Sequence, residues 1–356
     1  MNNFFFQFLN FFIFFLIKNK KVIIYSEGLN YQKYFINLIN TLEENQRIIY
    51  LSSELNDVIQ KKNIINLYIG TGLIRFFIFY FANGDNFYLT LTDLENHELK
   101  RSKFIKNYIY VFHSPVSLLR AYTKNAFNNY DTIISIGKKH TEEIRILEKL
   151  NNSPIKKIIE RKYFFFEYLE DRLNKKKISF NKKIKSILIA PSWNYQNKNF
   201  FTQTCESLIS IILKKNIKVI LRPHPEHYKR NSDVIIRIKN IFKTFKNFYF
   251  DSEPSNFKSL LNSDLLITDY SGISIEYLLV FRKPVIFFDE YVKNHSSYNN
   301  VSKKYSLIED DIKNKFGLSI KKNNLSDFYN ITDKYYKNFK KIRKKINDYK
   351  NNFFYN

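Results

Sequence analysis

One short stretch of the chain combines two residue types that bind phosphate. The sequence "ILRPHP" at 220–225 places Arg222 and His224 directly after an apolar run. An arginine guanidinium offers a fork of N–H donors that matches phosphate oxygens, and a histidine can donate to a phosphate or a leaving oxygen. In an extended chain these side chains, two residues apart, lie on the same side. The spacing predicts an anion site at a strand end, and the alternative is an ordinary surface pair.

A second stretch, "SDLLITDYSGISIE" at 263–276, changes from an apolar run to a helix-like pattern. The first turn of a helix has free backbone N–H groups and a positive dipole end, so it can bind a phosphate. Glu276 follows about one turn into the helix, where a carboxylate can hold ribose hydroxyls. The predicted donor-binding groups of this junction are those of Thr268, Asp269, Ser271 and Gly272. The alternative is that Asp269 or Ser271 only caps the helix.

Three further stretches carry candidate groups. In "YVFHSPVSLLRAY" at 110–122, His113 ends an apolar run and could take a proton from a hydroxyl acceptor, or be a structural histidine. In "APSW" at 190–193, Ser192 could offer its hydroxyl or its backbone N–H to a phosphate, or belong to a plain turn. The acidic run "EDD" at 309–311 is expected to be a solvated loop.

The candidate residues lie within two successive sets of apolar runs. In each set, the apolar runs alternate with helical patterns. Such alternation predicts parallel sheets covered on both faces, with ligands outside the carboxyl ends of the strands. We expect an N-terminal α/β domain at 21–172, a Lys-rich linker at 173–185 and a second α/β domain at 186–332. A basic helix is expected at 333–356.

The amino-acid composition restricts the kinds of partner and metal site that the protein is expected to have. The formal net charge of +25 favours anionic partners, although solvated surface lysine is the simpler explanation. No zinc-finger spacing, aromatic RNA-binding motif or Arg-rich arm is present, so nucleic acid is not expected. The single cysteine, Cys205, excludes an intrachain disulfide and any cysteine-based metal site, and it is expected to be a buried structural thiol. No metal or cofactor is expected.

The N-terminal segment 1–20 contains the apolar run "FFFQFLNFFIFFLI" followed by "KNKK". As a helix the run is about 21 Å long, short of the roughly 30 Å hydrocarbon core of a bilayer. It lacks the basic start and the small-residue cleavage site of a secretory signal. We expect a helix lying on the inner, cytoplasmic face of an anionic membrane, with a helix packed on the protein as the alternative.

The pairing of "VILRPHPE" with "SDLLITDYSGISIEYLLVFRKPVIFFD" resembles the CDP-glycerol glycerophosphotransferase family, which makes teichoic-acid-like polymers. The resemblance implies a GT-B fold, in which two Rossmann-like domains with parallel sheets face an interdomain cleft. It also implies metal-independent transfer of glycerol phosphate from CDP-glycerol to a hydroxyl on a lipid-linked or polymer acceptor, with release of CMP. By resemblance, His113 is the proposed base and His224 contacts the donor pyrophosphate beside Arg222. Asp269, Ser271 and Glu276 match the nucleotide-side motif.

The sequence departs from the family pattern at two places. His113 is followed by Ser114 and Pro115 instead of the usual glycine, and the stretch at 161–170 lacks a glycine. Both departures bear on the acceptor and on the exact donor. Two other functions therefore stay open: a GT-B glycosyltransferase that uses a nucleotide-sugar, and a non-catalytic membrane-bound partner in the assembly of a capsule or another surface polymer.

Overall fold

The computed structural model describes residues 3–42, 46–92, 94–95, 99–174, 176, 180–194, 198–291, 298 and 304–355. The chain divides into two compact units. The first comprises Met1–Ser114, Tyr122–Tyr168 and Phe353–Asn356, and the second comprises Pro115–Ala121 and Leu169–Asn352. The division at 168/169 lies upstream of the stretch 173–185, where the sequence led us to expect a linker. Residues 175 and 177–179 of that stretch lie outside the described residues.

The first unit is built on a seven-stranded sheet in the order β3-β2-β1-β4-β5-β6-β7, and every neighbouring pair is parallel. Its strands are β1 Val22–Ser26, β2 Ile48–Ser52, β3 Ile64–Tyr68, β4 Asn83–Leu89, β5 Phe104–Val111, β6 Thr132–Ser135 and β7 Lys157–Glu160. β1 and β2 are buried at every residue, as their unbroken Ile, Val and Tyr runs predict for strands covered on both faces. The edge strand β7 is mostly exposed and was not predicted.

Within the described residues, five α-helices lie wholly in the first unit. They are α1 Asn3–Leu16, α2 Leu29–Gln32, α3 Ile36–Thr41, α4 Leu73–Phe81 and α6 Lys138–Asn151, while α5 Leu118–Ala121 belongs to the second unit. α6 ends in Asn152 with a φ of 50°, the left-handed conformation that commonly terminates a helix. α7 Phe164–Leu173 starts in the first unit and ends in the second.

The N-terminal helix α1 packs on the sheet edge by one side only. Two of its polar residues bond to β3: the Gln7 amide donates to the Tyr68 hydroxyl and the Asn10 amide donates to the Tyr68 carbonyl oxygen, each at 3.0 Å. Phe14 is fully buried. Six large apolar side chains of the helix remain between 46% and 78% exposed, namely Phe4, Phe5, Phe8, Leu9, Phe12 and Leu16. Among the helices within the described residues, none is long and apolar enough to cross a bilayer.

The second unit contains a six-stranded parallel sheet in the order β10-β9-β8-β11-β12-β13. Its strands are β8 Ser186–Ile189, β9 Lys218–Leu221, β10 Phe248–Phe250, β11 Leu265–Thr268, β12 Val285–Phe288 and β13 Leu318–Ile320. β8, β11 and β12 are buried throughout. The short edge strand β13 was not predicted, since three residues carry too little periodicity to be seen.

The helices of the second unit are α8 Phe200–Gln203, α9 Cys205–Leu213, α10 Pro225–Arg230, α11 Ser232–Phe242, α12 Phe257–Asn262, α13 Gly272–Leu279, α14 Ile308–Phe316, α15 Phe328–Ile342 and α16 Ile346–Phe353. Cys205 is fully buried in α9, which confirms the prediction of a structural thiol. Burial also raises the pKa of this thiol well above its ordinary value, so it is an unreactive group. The basic C-terminal stretch is helical, as predicted.

Candidate active site

Arg222 follows β9, and its guanidinium is engaged within the second unit. Nη1 lies 2.7 Å from Oδ2 of Asp251, and Nη2 donates to the Pro254 carbonyl oxygen at 3.3 Å. The two side chains are only 15% and 10% exposed. Asp251 also accepts a hydrogen bond from the Ser259 hydroxyl. Arg222 therefore fixes the loop that follows β10, a partner that its position in the sequence did not reveal.

His224 is an exposed residue at the N-cap of α10. Its Nδ1 accepts a hydrogen bond from the Glu226 backbone N–H at 3.2 Å, and Pro225 occupies the first helical position. An Nδ1 that accepts a hydrogen bond has no proton, so we infer that the neutral ring carries its proton on Nε2. The cap therefore sets the tautomer in which Nε2–H can donate to an anion.

His227, one turn into α10, was missed in the sequence analysis. Its ring is fully buried, with Nε2 3.1 Å from the Ser192 carbonyl oxygen and Nδ1 2.9 Å from the Asn231 side chain. A carbonyl oxygen can only accept, so Nε2 carries the proton. Burial lowers the pKa of His227, which keeps the ring neutral. This bond ties the loop after β9 to the loop after β8, and the pattern H-x-x-H at 224–227 was its only signal in the sequence.

Ser192 and Asp269 bond to each other where β8 and β11 end. The Ser192 backbone N–H and hydroxyl donate to the two Asp269 carboxylate oxygens at 2.7 and 2.8 Å. The neighbouring Thr268 hydroxyl donates to the Ala190 carbonyl oxygen at 2.6 Å. All three predicted residues, Ser192, Thr268 and Asp269, are buried. Together these bonds lock the ends of two adjacent strands and fix the backbone that leads into α13.

The start of α13 is the second place where the sequence predicts an anion site. Ser271 is the N-cap residue with an extended backbone, and its side chain makes no capping hydrogen bond. The Ser274 hydroxyl instead donates back to the Ser271 carbonyl oxygen at 2.6 Å. Helix N1 is Gly272, whose small size allows close approach of a ligand. Glu276 is buried one turn further on, where its Oε2 accepts a hydrogen bond from the Asn256 amide at 3.2 Å.

Tyr270, within the same motif, is held by a charged network that the sequence did not indicate. Its hydroxyl donates to Asp289 and accepts from Lys313 Nζ at 2.9 Å. Lys313 Nζ also lies 2.9 Å from Asp289 Oδ2. The Arg120 guanidinium stacks 4.4 Å from the centroid of the Tyr270 ring. Arg120 belongs to the seven-residue segment 115–121, which is part of the second unit.

The acidic run at 309–311 is not a solvated loop, so that prediction is wrong. It lies in the first turn of α14, where Glu309 is buried and its Oε1 accepts from the Ser117 backbone N–H at 3.2 Å. Burial raises the pKa of Glu309. Asp310 pairs with Nη2 of the buried Arg120. Glu309 and Asp310 face Arg120, a cation from a remote part of the sequence, whereas Asp311 pairs with Lys315 on the same helix.

His113 lies in the first unit, at the carboxyl end of β5, and is half-buried. Its ring is surrounded by the aromatic rings of Tyr31, Tyr34 and Tyr122, at centroid distances of 5.7, 6.1 and 6.4 Å. Nδ1 is 3.5 Å from the hydroxyl of the buried Tyr110. Burial raises the pKa of this phenol well above its ordinary value, so the hydroxyl stays protonated. A neutral hydroxyl therefore lies beside Nδ1 of the imidazole.

A turn after β1 brings Tyr31 to this position. Gly28 has a φ of 145°, and a Cβ there would lie 2.4 Å from the Glu54 carboxyl carbon. The Glu54 carboxylate instead accepts a hydrogen bond from the Leu29 backbone N–H at 2.9 Å. The close approach requires glycine and fixes the start of α2, which carries Tyr31.

The match to a protein family lies almost entirely within the second unit. The family model for CDP-glycerol:poly(glycerophosphate) glycerophosphotransferases matches residues 164–353. A teichoic acid poly(ribitol-phosphate) polymerase of Bacillus spizizenii is 26% identical over 209 residues, which are 55% of this chain and 29% of that protein. The chain thus spans about 29% of the length of that curated relative.

Solved structures resemble the whole fold. A structure of the wall teichoic acid polymerase TagF with CDPG has a TM-score of 0.58 at 16% identity, with 96% of this chain and 87% of that chain covered. A UDP-N-acetylglucosamine 2-epimerase from Listeria monocytogenes has a TM-score of 0.58 at 14% identity, with 91% of each chain covered. At such low identity the likeness shows the fold alone. The chain has a GT-B-like fold with two parallel-sheet α/β domains, which confirms the predicted fold class.

Proposed function

The chain belongs to the CDP-glycerol:poly(glycerophosphate) glycerophosphotransferase family, and from this premise we propose its reaction. It transfers glycerol phosphate, or a related polyol phosphate, from a CDP-activated donor to a hydroxyl acceptor and releases CMP. The acceptor is a lipid-linked or polymeric chain in the synthesis of a teichoic-acid-like or capsular polymer. The names of the polymerases that this chain resembles support the proposal.

The chemistry requires few groups. The acceptor oxygen forms a bond to the phosphorus that carries the glycerol, and the bond from that phosphorus to the CMP oxygen breaks. His113 takes the acceptor's proton, while the charge that develops on the CMP phosphate is neutralised by donors. In phosphoryl transfer a protein contributes mainly positioning and electrostatic stabilisation, so no further covalent step is needed.

One observation carries the assignment of the donor side: the N-cap bond of His224. Because Nδ1 accepts from the Glu226 N–H, Nε2–H is directed to donate, and the proline on each side stiffens the loop. A fixed donor of this kind suits a pyrophosphate oxygen. His224 thus serves as the phosphate contact that stabilises departing CMP.

The remaining predicted residues divide into two roles. Gly272 presents the first backbone N–H group of α13 to a phosphate, and the Ser271 hydroxyl, which makes no capping hydrogen bond, lies beside it. Glu276 holds the ribose hydroxyls. Ser192, Thr268, Asp269 and Arg222 act as positioning residues, because their polar atoms bond within the second unit. This division refines the donor-binding set expected from the sequence.

We also propose that the first unit rests on a membrane surface. The exposed apolar side of α1 is accompanied by exposed Leu73, Phe77, Tyr80 and Phe81 of α4, the helix that α1 contacts. Large apolar side chains on one helix side, with lysines adjacent, are typical of helices that lie in the interface. Lys18 and Lys21 are exposed next to the run, whereas Lys20 is buried and donates to Asn83 at 2.9 Å.

A donor panel tests the reaction. The purified chain is incubated with membranes and with CDP-glycerol, CDP-ribitol or a UDP-sugar, and the released nucleotide is separated by chromatography. We expect CMP from a CDP-polyol and no UDP. His224→Ala should reduce CMP release by on the order of 100-fold, whereas Lys229→Ala, an exposed change on the same helix, should leave it unchanged. Release of UDP, or CMP release that is unchanged in His224→Ala, would rule out the proposal.

A further inference from the structure

A cavity lined by basic residues lies in the second unit, away from the predicted donor motif. This cavity of about 390 Å³ is lined by Phe180, Arg282, Lys340, Arg343, Lys344 and Asn347. Four of these six residues are cations and none is an acid. Over the part of the chain that the structure describes, none of the four cations forms an ion pair within 4.0 Å. The cavity therefore concentrates positive charge that is not paired with any acidic residue within the described part of the chain.

Two of the four cations of the cavity lie against the same aromatic ring. Lys340 and Arg343 both stack on Phe180, each 5.7 Å from the ring centroid. Burial and the like charge of Arg282 lower the pKa of Arg343, because a second positive charge nearby disfavours the charged guanidinium. Arg282 has a φ of 52°, a left-handed conformation that glycine adopts more easily. A cation thus occupies a backbone position that favours glycine.

The position of the cavity separates it from the proposed donor site. Phe180 precedes β8 and Arg282 precedes β12, so both lie at the amino edge of the parallel sheet. Ser192, Arg222 and Asp269 follow their strands, at the carboxyl edge. A four-residue strand spans about 13 Å, so the cavity and the donor motif lie at opposite ends of the sheet.

We propose that this cavity, called here the amino-edge pocket, binds phosphate groups of the phosphodiester polymer that the enzyme extends. The inference rests on the proposed function, which makes that polymer the product. Exposed Lys334 and Lys341 continue the positive charge along α15, whereas Lys337 is paired with Asp333. A chain with one negative charge per repeat matches such a row of cations, and it would hold the acceptor near the enzyme between transfers.

The surface chemistry favours a polymer in water over a lipid bilayer. No large apolar side chain of α15 or α16 is exposed, although every residue of both helices is among those described. The contrast with α1 is direct, because six large apolar side chains are exposed there. A helix that binds a membrane buries apolar side chains in it, whereas the exposed residues of α15 and α16 are all polar or charged.

The test measures binding without turnover. A synthetic oligo(glycerol phosphate) with a fluorophore at one end is titrated with the full chain, and its anisotropy is followed at low and high salt. Lys340→Gln combined with Lys344→Gln should weaken binding about tenfold, or roughly 1.4 kcal/mol. The matched control, Lys243→Gln combined with Lys246→Gln, removes two exposed lysines elsewhere in the unit and should change affinity less than about twofold. Arg343→Gln provides a second pocket variant.

The outcomes separate this inference from the proposed reaction. Equal affinity of the pocket and control variants would overturn the inference, even if CMP is released from CDP-glycerol. So would tighter binding to vesicles of anionic phospholipid than to the oligomer, with the pocket variants losing that vesicle binding. Loss of oligomer binding in the pocket variants would support the inference, even in a preparation that released no CMP and thereby refuted the reaction.

Discussion

The ion pair between Arg222 and Asp251 gives a quantitative test of the positioning role assigned to Arg222. Removing one partner of a buried ion pair costs about 3–5 kcal/mol, because the remaining charge is left without its partner. The side chains are 15% and 10% exposed, and Asp251 keeps its hydrogen bond from Ser259. Both facts reduce the penalty, so we expect Arg222→Ala to lower the free energy of unfolding by about 3 kcal/mol, the lower end of that range.

A double-mutant cycle measured by urea unfolding isolates the pair. Asp251→Ala should cost about as much as Arg222→Ala, and the double variant should be little worse than either, which gives a coupling energy of about 2–3 kcal/mol. The exposed pair of Arg237 and Glu206, 51% and 42% exposed, is the matched control. Arg237→Ala should cost less than about 1 kcal/mol.

Kinetics then distinguish positioning from direct contact with the donor. If Arg222 acts through Asp251, Arg222→Ala and Asp251→Ala should change the KM for CDP-glycerol by similar factors. The reasoning is refuted if Arg222→Ala raises that KM strongly with unfolding unchanged, while Asp251→Ala leaves the KM as it is. Arg222 would then be a donor ligand whose pairing with Asp251 is incidental.

Three further outcomes follow from other contacts. His224→Ala should reduce CMP release by on the order of 100-fold, while the lost cap of α10 lowers the free energy of unfolding by only about 1 kcal/mol. Lys283 is buried and donates to three carbonyl oxygens, and burial lowers its pKa from 10.5 to about 8. The unfolded chain therefore binds more protons between those pH values, so the stability of the natural protein relative to Lys283→Met should rise from about pH 8 to about pH 10; a flat difference would contradict this. Phe8→Asp combined with Phe12→Asp should abolish sedimentation with anionic vesicles, whereas Phe245→Asp, an exposed change in the second unit, should not.

Much of the fold is visible in the sequence, because parallel strands covered on both faces are continuous apolar runs. The central strands β1, β2, β8, β11 and β12 all have this pattern. The edge strands β7 and β13 were missed, since they are short and partly exposed, and their residues do not differ from those of a loop. The N-terminal run was predicted to be a helix, but the contacts of Gln7 and Asn10 with Tyr68 could not be predicted.

The residues of the candidate site could be predicted from the sequence about as far as the fold could. Residue types at strand ends located Arg222, His224 and Asp269, because the carboxyl edge of a parallel sheet collects polar groups. Their partners depend on which strands are adjacent in space, which local patterns do not encode. Ser192 and Asp269 are 77 residues apart, and Arg120 and Asp310 are 190 residues apart. The second pair also explains why three consecutive acids were wrongly assigned to a solvated loop.

The fate of a labelled donor tests the central claim most directly. CDP-glycerol labelled in its glycerol is incubated with the purified chain and a hydroxyl acceptor, and CMP and acceptor-bound label are counted together. The account predicts one CMP for each glycerol phosphate that becomes attached to the acceptor, with both lost in His113→Ala and His224→Ala. Label that stays in CDP-glycerol, or that appears as free glycerol phosphate without modification of the acceptor, would contradict it.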